Sequence, residues 1–240
     1  AGQRGGYRQS VTALHFRPST GPGQEHAVNE QFQHVMVLIS IIVGLSITHL
    51  LSGMVDAIDR NNDEDALFIF SLLAAFWMTT VFFWMINFWW FQFRLMSFEG
   101  AWTLWRYLFI ILYSVALYTL AVILVPRDWD AIKSYTEYFM RNRRYFFGAL
   151  LLANFADVGD AWLKGGWDYV VGMGPVNNFV AVFTLPVAVV GILSRKVRVQ
   201  TIMAGVYCVL FIIAIFEYTP VLLAPDRADR GARVEAGVTP

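Results

Sequence analysis

Cysteine is almost absent from this chain: Cys208 is the single one among 240 residues. One thiol cannot close an internal disulfide or furnish a multi-thiolate metal centre, so both are excluded. Charge is scarce as well. Only 15% of the residues are Asp, Glu, Lys or Arg, against about a quarter in a soluble domain. Basic and acidic residues balance at 18 each. No positive excess is left to hold a polyanion, and no nucleic-acid partner is expected. Soluble catalytic signatures are missing too. There is no GxSxG, HExxH, P-loop or CxxC pattern, and Gly172-Met173-Gly174 lacks the third glycine of a dinucleotide site. No catalytic residue, no metal site and no enzyme activity are therefore expected. Residues 1–31 are polar and rich in Gly and Gln, without the apolar core of a secretory signal.

What the chain has instead is apolar length. Hydrophobic residues make up 57% of it, gathered in runs that approach the roughly 20 helical residues needed to cross a bilayer. Inside hydrocarbon the backbone must satisfy its own hydrogen bonds, which selects helices. Six spans are expected: Phe32–Ile58, Leu67–Phe93, Tyr107–Val125, Tyr145–Leu163, Tyr169–Leu193 and Val199–Leu223. The fourth is the weakest, because Asp157 and Asp160 interrupt it; were it re-entrant, five spans would remain. The fold class is all-α, a polytopic transmembrane helical bundle, with polar tails at 1–31 and 225–240. Residues 127–144 place Trp129, Ile132, Tyr135, Tyr138 and Phe139 on one side, the pattern of a short amphipathic helix lying along the membrane surface.

The aromatic residues fit a bilayer. Trp89, Trp90, Trp102, Trp105, Trp129, Trp162 and Trp167 fall near span ends, where indole prefers the headgroup region. Trp77 and Trp84 share one face of the second span, expected to be packing or lipid-facing surface. Gly172–Pro175 and Pro186 are expected to kink the fifth span. Orientation is balanced. The clusters Arg141–Arg144 and Arg195–Arg198 favour the side opposite the termini as cytoplasmic, whereas an N-terminal tail without a signal favours the reverse.

An ionisable side chain at bilayer depth costs roughly 2.5–3.5 kcal/mol on insertion scales, so each calls for a reason. Asp157 and Asp160 share a face of the fourth span with Asn154, and Asn177 and Asn178 on the fifth could oppose them. With Glu217 on the sixth span they could form a polar lane that binds a cation or relays protons. The competing reading pairs Asp160 with Lys164 near a helix end and leaves Glu217 to headgroup solvation. His49, beside Gly44 and Ser46, could ligate a haem or pigment, but without a spaced partner it reads more readily as a packing histidine.

The stretch VMVLISIIVGLSITHLLSGMVDAIDR, an aromatic span ending FWWFQF and a later RNRRYFFGALLL resemble a group of uncharacterised bacterial inner-membrane proteins. The resemblance implies a multi-pass placement in a bacterial inner membrane and carries no activity. The expected function is an accessory or scaffolding subunit of a larger membrane complex. An energy-transducing host, a photosynthetic reaction-centre–antenna or respiratory assembly, would suit such a subunit. Its partners would be membrane lipids and other integral-membrane subunits, with bound lipid or a neighbouring pigment as cofactor. The alternative is a small proton- or cation-coupled transporter using Asp157, Asp160 and Glu217. The two differ in geometry: a transporter gathers its carboxylates around water inside the bundle, whereas a scaffold leaves them at headgroup depth or paired with neighbours.

Overall fold

The computed structural model describes residues 22–62, 72–97, 103–129, 131–132 and 134–223. They form α1 (Pro22–Asn62), α2 (Leu72–Phe91), α3 (Leu104–Leu124), α4 (Tyr135–Gly172), α5 (Pro175–Leu193) and α6 (Val197–Leu223), with a 3-10 turn at Gln92–Ser97. Among the described residues there is no strand. All six helices are long and apolar enough to cross a membrane, and the chain is a multi-pass helical membrane bundle. Around the bundle the helices follow the order α1, α3, α4, α5, α6, α2, and α2 also touches α3 and α4. The α2–α3 and α4–α5 connections and the end of α6 share one end of the bundle, here the near end. The α3–α4 connection and the α5–α6 turn lie at the far end.

Lipid tails are as apolar as leucine, so close packing rather than the hydrophobic effect holds such helices together. The aromatic face of α2 supplies that packing. Trp77 is 0% exposed and meets Phe146, Phe147 and Tyr207 at ring-centroid distances of 4.8, 5.5 and 5.5 Å. Trp84 packs on Phe211 at 5.4 Å. The shared face of Trp77 and Trp84 is interior packing surface.

Helix ends follow from local chemistry. Thr103 caps α3, its side chain accepting from the Arg106 N–H at 3.4 Å. Pro126 disfavours helical backbone at Val125 and stops α3 there. At the α3 terminus the orphan carbonyls of Leu124 and Ile123 accept hydrogen bonds from the Tyr135 and Tyr138 hydroxyls at 2.7 and 2.9 Å. At the far end of α5, the Gln200 side-chain amide donates to the Gly191 and Ser194 carbonyls at 2.8 and 3.0 Å.

Three boundaries differ from expectation. Among the described residues of 127–144 there is no separate surface helix, because α4 begins at Tyr135 and continues into the fourth span. Its arginines let the helix project beyond the hydrocarbon, and the two tyrosine hydroxyls tie that projection to α3. Second, α5 starts at Pro175 rather than Tyr169. Gly174 sits at φ 103°, a conformation suited to glycine, and Pro175 fits the first helical turn. The helix then continues through Pro186. Third, α1 begins at Pro22, inside the stretch expected to be a polar tail. Residues 1–21 and 224–240, which carry the rest of both tails, lie outside the described residues.

At Gly191 α5 packs directly on the Phe147 ring of α4, and a Cβ there would run into that ring. Gly191→Ala is expected to destabilise the bundle by about 1–3 kcal/mol through overpacking. Thermal unfolding in detergent would read this, with Gly44→Ala as control, since a Cβ at Gly44 meets nothing within 4 Å.

Candidate ion-binding site

Four helices bring polar side chains together in the near half of the bundle. Tyr113 on α3 donates its hydroxyl to Asp157 Oδ1 on α4 at 2.6 Å. Trp84 Nε1–H on α2 donates to the same Tyr113 oxygen at 2.9 Å. One helical turn nearer the end of α4, Lys164 Nζ pairs with Asp160 Oδ2. That ion pair is enclosed: the side chains of Lys164 and Asp160 are 2% and 7% exposed. At 1.5 Å of rise per residue, Asp157 lies about 10 Å along the axis from Lys164, within the fourth membrane-spanning helix.

Between these groups is a cavity of about 30 Å³, room for roughly two water molecules. Asp157, Asp160, Lys164, Asn87 and Asn177 supply its polar walls, and Trp84, Phe88, Phe91 and Phe211 its aromatic ones. Asp160 Oδ1 is buried and finds no hydrogen-bond partner among the described residues. An acceptor left bare at this depth costs about 1–3 kcal/mol, and a water or a proton in the cavity would remove that cost.

The near-end wall is made by a short segment between two breaks. Gly165 and Gly166 interrupt α4, with Gly166 at φ 69° and ψ −163°, backbone that only glycine adopts readily. The following residues carry Tyr169 and Met173 onto the cavity and end at Gly174. Arg94 lies over the Tyr169 ring at 5.3 Å.

The sequence-derived candidates separate into three roles. Asp157 and Asp160 line the cavity together. Asn154 does not: its amide donates to the Ala181 carbonyl at 3.1 Å and ties α4 to α5. Glu217 is also apart, its Oε2 accepting the Val176 N–H at 3.0 Å and satisfying the N-terminus of α5. Of the two asparagines, Asn177 reaches the cavity, whereas Asn178 donates to the Val171 carbonyl at 2.9 Å. His49 on α1 is not among the cavity residues, and its buried Nε2 has no hydrogen-bond partner among the described residues. No group of three or more His, Cys, Asp or Glu able to hold a metal occurs among the described residues.

Tyr113 and Asn87 were not among the residues expected to matter, and Trp84 was expected only as packing or lipid-facing surface. Each sits in an apolar run where a phenol, indole or amide looks like packing. The available signal was that such groups usually find a polar partner when buried. No family model, curated protein or solved structure matches the chain.

Proposed function

We propose that this chain is a small proton-coupled transport protein of a bacterial inner membrane, with Asp157 and Asp160 as its proton-carrying pair. The observation that carries this reading is the small cavity shared by two carboxylates and a single lysine. Asp160 and Lys164 neutralise one another, leaving the cluster one positive charge short. Unpaired charge at this depth is expensive, and a proton is the smallest species that supplies it. About 30 Å³ admits water and protons but no organic substrate. The Lys164 ammonium disfavours a metal cation beside it.

A scaffold would act through its polar tails, of which 1–21 and 224–240 lie outside the described residues, and needs no polar lane inside the bundle. The Trp84–Tyr113–Asp157 chain and its cavity form such a lane, so the transporter alternative is preferred, with Asn154 and Glu217 as structural ties. Protons would exchange at the near end, past Tyr169 and Met173.

Liposomes holding a pH-sensitive dye provide the test. Under an imposed potential the native protein is expected to pass protons, and Asp157→Asn to fall at least about tenfold toward the protein-free leak. Equal flux through both proteins would overturn the reading. Flux that follows a sodium gradient instead would assign the site to a metal cation.

A further inference from the structure

A second feature lies at the opposite end of the bundle and owes nothing to the proton site. Two basic clusters far apart in sequence are brought to that end on neighbouring helices. Phe147 packs against Gly191, which joins α4 to α5 at the far end. Arg144 stands one turn before Phe147, and Arg195 and Lys196 lie in the short connection that follows the end of α5 at Leu193. Arg141, Arg144, Arg195 and Lys196 are all exposed, and none forms an ion pair with another described residue. The nearest carboxylate on this part of α4, Glu137, lies a further turn or more outward.

Directly below the cations the surface turns apolar. On α4 an exposed stripe descends from Arg141 and Tyr145 through Gly148 to Leu152, and the bare Gly148 leaves open space beside the helix. Val189, Val190 and Leu193 are exposed on the neighbouring α5. Tyr145, 72% exposed, marks headgroup depth, where amphipathic rings settle. A cationic cluster above an exposed apolar stripe matches a ligand with an anionic head and a hydrocarbon tail. We infer that the far-end junction of α4 and α5 is a binding site for one anionic phospholipid. Its phosphate sits among Arg141, Arg144, Arg195 and Lys196, and one acyl chain lies along Gly148 and Leu152. Free phosphate would share the head contacts but not the apolar stripe.

Native mass spectrometry of the detergent-solubilised protein, titrated with phosphatidylglycerol or phosphatidylcholine, tests this. One phosphatidylglycerol is expected to be retained at least about tenfold more tightly than phosphatidylcholine, given the attraction of each basic residue for an anionic surface. Arg144→Gln combined with Arg195→Gln and Lys196→Gln removes that preference, whereas Arg94→Gln with Arg106→Gln at the near end keeps it. Inorganic phosphate at millimolar concentration does not displace the lipid. Should the triple variant fail to fold, raising the salt on the native protein serves instead, and the preference shrinks as the charges are screened. Equal retention of both lipids, an unaffected triple variant, a salt-independent preference or displacement by phosphate would each overturn the assignment.

Discussion

Asp160→Ala is expected to destabilise the bundle by about 3–5 kcal/mol, the cost of removing one partner from a buried ion pair. The size follows from enclosure. Lys164 has a side chain only 2% exposed, so its ammonium cannot turn to solvent once the carboxylate is gone. The Phe91 ring, 5.9 Å away, is a poor substitute for a carboxylate. Removing both charges should cost much less, because a buried pair exchanged for neutral groups is often near neutral in stability. The double variant Asp160→Asn with Lys164→Gln is therefore expected to recover most of the loss. Chemical unfolding in detergent micelles would measure all three proteins, and equal stability of the single and double variants would refute the pairing argument.

Tyr113→Phe is expected to cost about 2–4 kcal/mol, more than the loss of one neutral hydrogen bond. The reason is its position. The Tyr113 hydroxyl accepts from Trp84 and donates to Asp157. Phenylalanine leaves the indole N–H and the Asp157 oxygen both without their protein partner. Trp84→Phe strips only the outer link and should cost about 1 kcal/mol in hydrogen bonding, beyond its packing loss. If the three groups act as one network, Tyr113→Phe combined with Asp157→Asn falls short of the sum of the single effects. Additive losses would show that the chain is three independent contacts.

How far the sequence reached is clearest on α4. Asp157 and Asp160 were legible as a problem, since two carboxylates in an apolar run need a reason. Their separation from Asn154 was not legible, although all three were expected on one face. Where α4 packs on both α3 and α5, a small rotation decides which neighbour a side chain meets, and Asn154 meets the Ala181 carbonyl. Glu217 was drawn into the lane on its burial cost alone. The start of α5 offered it an unsatisfied N–H, a partner set by the Gly174–Pro175 break rather than by spacing along α6. The break itself was visible in the sequence but expected within the fifth span, not before it. At the other end, the arginines of 141–144 looked like a boundary between a surface helix and a span. Long basic side chains can reach the headgroups from a continuous helix, so charge there marks the edge of the membrane and not the end of the helix.

The claim on which the rest depends is that Asp157 and Asp160 hold one exchangeable proton between them. Infrared difference spectroscopy of the reconstituted protein, titrated through pH, observes that proton through the carbonyl stretch of a protonated carboxyl. A single reversible carboxyl band is expected in the native protein, shifted in heavy water and absent from Asp157→Asn, while Glu217→Gln leaves it in place. A band that survives Asp157→Asn unchanged, or that vanishes only with Glu217→Gln, would contradict it.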